Sequence, residues 1–160
     1  MNNIEKYFAG ERIQCLVGIG ISIISICLSI YLFSTEKAIL KGIAYPFTII
    51  AIILLTICIG VVWRTSKDIL RVNNYSKFEP SKLKSDELPR MEKVMTNFKL
   101  IKRIEIILLV IGLVLIVVFW KNPLLNGIAI GLMVQASIMF IFDTFAEKRG
   151  HNYLKYLQTK

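Results

Sequence analysis

The chain has 160 residues, of which 55% are apolar and 19% charged, with a formal net charge of +9 and a mean hydropathy of +0.61. A water-soluble domain of this length cannot bury so much apolar surface. That excludes a soluble enzyme, a disordered tail and a small disulfide-framed secreted domain, and it leaves an integral membrane protein.

Four uninterrupted apolar runs follow in chain order, at about 13–33, 42–63, 104–120 and 123–142. A helix needs about 20 apolar residues to cross roughly 30 Å of hydrocarbon. Three of the runs meet that outright. The third is short and counts its Arg103–Glu105 end as interface. The runs are continuous rather than alternating, so they read as helices and not as barrel strands. The first is too long for a cleavable signal peptide, and no small-residue cleavage site follows it. The expected fold is an all-α membrane protein of four transmembrane helices, arranged as two hairpins in one domain over 1–160, with a connector at 64–103 and a tail at 143–160.

Orientation follows from the basic residues. Of the 20 Lys and Arg residues, only Lys37, Lys41 and Lys121 fall in the two short loops. The rest lie in the N-terminal arm, the connector and the tail. The positive-inside rule then puts both termini in the cytoplasm, and the compact chain suggests a bacterial inner membrane. Tyr31, Phe33, Tyr45 and Trp120 mark one membrane boundary, and Trp63, Phe142 and Phe145 the other. Cys15, Cys27 and Cys58 all lie within spans at irregular spacing, which fits small apolar residues rather than disulfides or a thiolate metal site.

The connector has its own pattern. Arg64 to Phe78 prolongs the second helix, and Glu79-Pro80 breaks it. Ser85 or Asp86 is suited to cap the next helix, with Pro89 in its first turn. Leu88, Met91, Val94, Met95, Phe98 and Ile101 then recur at helical spacing, with Arg90, Lys93, Lys99 and Lys102 on the other faces. This predicts an amphipathic basic helix leading into the third span. The hairpins also resemble each other. Arg12-Ile13 opens one and Arg103-Ile104 the other. After each comes Arg-x-x-Asn-Tyr-x-Lys-aromatic, at Arg71–Phe78 and at Arg149–Tyr156. Duplication would relate the two by a pseudo-twofold axis along the membrane normal. The alternative is that both segments meet the same interface with snorkelling cations and headgroup-level tyrosines.

Candidate functional residues are few. Glu105 is the one carboxylate inside a span, and Gln135 the one strongly polar residue of the fourth. A carboxylate there is costly and is by default a functional candidate; the plainer expectation is a buried ion pair with Arg12, Arg64 or Arg103. Gly127 and Gly131 form a G-x-x-x-G face, and Gly18 and Ser22 begin a small-residue seam continued by Ser25 and Ser29. Such seams serve helix packing. Arg12, Arg64, Arg103, Asp143 and Glu147 form an expected interface charge cluster. Asp143, Glu147 and His151 share one helical face at i, i+4 and i+8, a weak metal-ligand pattern if Gly150 does not end the helix first. No phosphate loop, nucleophile elbow, zinc spacing or lipidation box is present, and no cofactor is expected.

Three functions are open at this point. The first is a non-catalytic membrane protein whose basic connector and tail meet a cytoplasmic protein partner or anionic lipid headgroups of the bilayer. The second is a small homodimeric channel or ion-coupled transporter using Glu105. The third is a membrane enzyme acting on a lipid or quinone at the cytoplasmic interface. The connector lacks interleaved stacking aromatics, so nucleic acid is not an expected partner.

Overall fold

The computed structural model describes residues 3–159. The chain forms α1 (Asn3–Phe33), α2 (Ala38–Phe78), a single turn α3 (Pro80–Lys82), a π-helical turn at Leu83–Glu87, α4 (Leu88–Val118) and α5 (Pro123–Gln158). No strand occurs among the described residues. Helices α1, α2 and α5 are long and apolar enough to cross a membrane. Exposed side chains such as Ile24, Ile30, Ile57 and Val117 cover the outer faces of the bundle, while the interior seams hold Gly, Ala, Ser and Cys. That inversion suits an apolar solvent.

Helix α4 differs. Its apolar stretch, Ile104–Val118, is about 22 Å long at 1.5 Å per residue, short of the roughly 30 Å of hydrocarbon. Lys102, Arg103 and Glu105 crowd its start. The helix stops at Val118, so Phe119 and Trp120, expected to complete the third span, lie in the turn to α5. There the Asn122 side chain accepts from the N–H groups of Leu124 and Leu125 at 3.1 and 3.2 Å, and Pro123 occupies a first-turn position where a missing N–H costs little.

Two further expectations need correction. Ser85 and Asp86 do not cap α4. The chain is already helical there, and the Ser85 hydroxyl donates to Asp86 instead at 2.7 Å. Gly150 does not end α5, which runs on to Gln158. A Cβ at Gly150 would lie 3.0 Å from the Met95 sulfur, so this glycine makes room for α4 rather than terminating a helix.

The connector is not a loop. It is the far ends of α2 and α4 joined by α3 and the π turn. With the start of α1 and the end of α5 they build a second core at the end of the bundle that carries the termini, around Ile4, Tyr7, Phe8, Val72, Leu83, Met91, Tyr153 and Leu157. Tyr7 stacks on Tyr153 with ring centroids 4.4 Å apart. On α4, Met91 and Met95 are buried and Leu88, Val94 and Phe98 half-buried, whereas Ile101 is exposed.

Packing is uneven around the bundle. Helices α1 and α2 pack along their length, and α5 packs on both α2 and α4. The α1–α5 contact is sparse, and the backbones of α2 and α4 nowhere approach closely. At the end carrying the two short loops, α2 and α5 meet backbone to backbone. A Cβ on Gly127 would lie 2.9 Å from the Gly42 Cα, and one on Gly131 2.8 Å from the Ile43 carbonyl oxygen. The G-x-x-x-G face is therefore spent inside one chain.

Candidate functional site

Because α2 and α4 both lean on α5 while their backbones stay apart, a cleft of about 520 Å³ opens between them. Its walls are apolar: Ile53 and Ile57 from α2, Ile104 and Leu108 from α4, Ala136 and Met139 from α5. Three carboxylates, Glu11, Glu105 and Asp143, and two arginines, Arg64 and Arg149, interrupt that lining; Glu11 pairs with Arg64, which leaves Glu105 and Asp143. Both are buried, at 4% and 9% exposure. They lie close enough to act on each other electrostatically, and neither Glu105 oxygen has a hydrogen-bond partner.

The expected ion pair of Glu105 with Arg12, Arg64 or Arg103 is absent, for identifiable reasons. Arg103 is two residues from Glu105, which turns it about 200° around the helix, and it is exposed. Arg12 is exposed too, and neither makes an ion pair among the described residues. Arg64 is engaged by Glu11 at 3.4 Å and Asp68 at 3.7 Å. Lys102 acts on both carboxylates through space, but its ammonium donates to Glu147. Neither carboxylate is thus joined in an ion pair, and of the two arginines that line the cleft Arg64 is held by Glu11 and Arg149 by Gln14.

The other candidate residues divide clearly. Glu147 is half-buried against Lys102, and His151 is exposed. Among the described residues no three His, Cys, Asp or Glu side chains come close enough to hold a metal ion. Gln135 is fully buried, with neither amide atom bonded. Gly18, Ser22, Ser25 and Ser29 are buried along one face of α1. Ser22 and Ser29 donate to the carbonyls of Gly18 and Ser25, both at 2.8 Å, which satisfies those hydroxyls within the helix itself. Cys15 and Cys58 sit together as thiols in the core beside Leu54; Cys27 is exposed.

A second set of residues was not singled out from the sequence. Glu87, 1% exposed, accepts from the Arg90 guanidinium at 2.6 and 2.9 Å and from the Tyr153 hydroxyl at 3.2 Å. Arg71 lies 3.8 Å away and bonds Asp68 at 3.0 Å. Charges therefore alternate from Glu11 through Arg64, Asp68, Arg71 and Glu87 to Arg90, tying α1 to α2, the π turn and α4. Burial disfavours the charge on Arg90, but the hydrogen bonds and charge of Glu87 outweigh it and hold the guanidinium pKa above its usual value. The helical spacings Arg64–Asp68, Asp68–Arg71 and Glu87–Arg90 were a local signal for part of this ladder. The Glu87–Tyr153 contact had none.

Comparison with protein-family models, with curated proteins and with solved structures finds no match. The functional reading therefore rests on the site alone.

Proposed function

We propose that this is a small multi-pass protein of a bacterial inner membrane, with four spans and both termini cytoplasmic, that exchanges a lipophilic cation for protons through the α2–α4 cleft. The observation that carries this reading is the acid pair Glu105–Asp143, buried in a largely apolar cleft and joined in no ion pair, although Arg64 and Arg149 reach the same cleft. Such a pair is costly unless a proton or a cation occupies it. The apolar walls favour a cation with an apolar body over a hydrated metal ion. The cleft lining reaches the termini end at Glu11, Arg64 and Asn97, and the glycine contacts close α2 against α5 at the loop end. That is the shape of one state of an alternating-access carrier.

Equilibrium binding tests the first step. Tetraphenylphosphonium is expected to bind the detergent-solubilised protein and to release protons as it does so. Glu105→Gln and Asp143→Asn are each expected to abolish the proton release. Binding that is unchanged in both variants would remove the cleft from the function.

A second reading has its own support. Lys67, Lys77, Lys84, Lys93 and Lys99 are all exposed around the core at the termini end. That surface suits a non-catalytic protein that meets an anionic leaflet or a cytoplasmic partner through its connector and tail. The enzyme reading draws less support, because Lys102 occupies Glu147.

A further inference from the structure

The Arg-x-x-Asn-Tyr-x-Lys motif occurs twice, and its two copies do different work. In the first, Arg71 is neutralised by Asp68 at 3.0 Å and Glu87 at 3.8 Å. The position three before Arg149 is Ala146, so the second copy lacks that carboxylate. Arg149 donates instead to the neutral Gln14 Oε1 at 2.6 Å, and its Nε is buried with no acceptor. Glu11 acts on Arg149 through space but is bonded to Arg64.

Arg149 lies in the crevice where α1 and α5 touch only sparsely. Gly10 makes the room: a Cβ there would lie 2.6 Å from the Arg149 Cδ. On the termini side of Arg149 the crevice widens into a hollow of about 440 Å³, lined by Lys6, Asn152, Tyr7 and Tyr153. On the other side it continues as a trough of about 350 Å³ along Ile13, Val17, Phe142 and Phe145. Both hollows share Gly10, Ile13 and Arg149. From Lys6 to Val17 the crevice runs about 16 Å along α1. A cationic, hydrogen-bonding end and an apolar end, joined at that length and open to the side of the bundle, match one amphipathic anion.

We propose that the α1–α5 crevice binds one anionic phospholipid, its phosphate held between Lys6 and Arg149 and an acyl chain laid along Ile13, Val17, Phe142 and Phe145. Basic pockets between membrane helices on the cytoplasmic side recognise such headgroups. The site rests on the membrane location alone, so an inert Glu105→Gln variant does not bear on it; Arg149 also reaches the α2–α4 cleft, whereas Lys6 and Gly10 line the crevice only, and variants at those two separate the sites.

Native mass spectrometry of the full chain, released from mixed phosphatidylglycerol and phosphatidylcholine bilayers, tests it. The wild type is expected to retain one phosphatidylglycerol under conditions that strip phosphatidylcholine. Arg149→Gln removes charge-assisted hydrogen bonds and is expected to lower that retention about tenfold. Gly10→Ala keeps every charge but displaces the guanidinium, and it is expected to lower retention as well. Lys121→Gln, at the opposite end of the bundle, is expected to change nothing. Should Arg149→Gln fail to fold, Gly10→Ala and Lys6→Gln carry the comparison. Equal retention of the two lipids, or full retention in Arg149→Gln or in both substitutes, would overturn the proposal. So would complete displacement of phosphatidylglycerol by millimolar inorganic phosphate, which would make the site one for a free anion.

Discussion

Gly127 is the point where the bundle has least room, and it allows a prediction of both sign and size. A Cβ there would stand 2.9 Å from the Gly42 Cα and would overlap the Ile39 carbonyl oxygen. These are backbone atoms of α2, held by its own hydrogen-bond ladder, so the neighbour cannot swing aside as a side chain would. Gly127→Ala must push α2 and α5 apart along a packed seam. Overpacking of that kind costs about 1–3 kcal/mol, and the better helix propensity of Ala returns up to about 1 kcal/mol. Because the clash is with backbone, the upper part of that cost applies, about 2–3 kcal/mol, and the expected net loss is about 1–2 kcal/mol. Gly60 is the control, because a Cβ there meets nothing within 4 Å. Gly60→Ala retains only the propensity gain and is expected to stabilise by up to about 1 kcal/mol. Reversible unfolding in mixed micelles, followed by circular dichroism, reads both variants against wild type. The opposite signs are the test. A Gly127→Ala protein as stable as wild type, or two variants shifting alike, would refute the close α2–α5 approach.

Glu87→Ala leaves a buried Arg90 guanidinium and the Tyr153 hydroxyl without their acceptor, and should cost about 3–5 kcal/mol; amide exchange should show the loss concentrated at Leu83–Phe98, with Glu87→Gln milder. Arg64→Ala should move the unfolding midpoint little, by about 0.5 kcal/mol or less, since its side chain is half exposed and water screens the Glu11 pair. Asn122→Ala removes the cap of α5 and should cost about 1 kcal/mol, measurable in the same micelle titration.

The all-helical architecture was legible because apolar run length is a local property. Ile13–Phe33 and Gly42–Trp63 fall within α1 and α2 as written. The break at Glu79-Pro80 was equally visible, since Pro80 cannot continue the α2 ladder. The third run was harder. Phe119 and Trp120 are apolar enough to extend it, but the Asn122 cap and Pro123 fix the turn before them. Gly150 misled in the other direction, because the same residue serves a helix end or a close helix contact, and only the Met95 sulfur beside it decides. Glu105 stood out as a costly carboxylate, yet its partner did not. Any of three arginines was within plausible reach, whereas the structure spends Arg64 on Glu11 and Asp68 and turns Arg12 and Arg103 outward. What remained was Asp143, 38 positions along the chain, and no periodicity in the sequence links the two. The same holds for Glu87 and Tyr153. The repeated motif is visible in the sequence, and so is the difference between its copies, since Asp68 precedes one arginine and Ala146 the other, but only the structure shows that Asp68 neutralises Arg71.

The cleft and its acid pair are the heart of the functional reading, and transport tests them most directly. Proteoliposomes with an acidic interior should accumulate tetraphenylphosphonium when they contain wild-type protein. Accumulation should fall to the level of empty liposomes with Glu105→Gln and with Asp143→Asn, while Gly60→Ala transports normally. Accumulation that survives the double substitution Glu105→Gln, Asp143→Asn, or its absence with correctly folded wild-type protein, would contradict proton-linked cation exchange through the α2–α4 cleft.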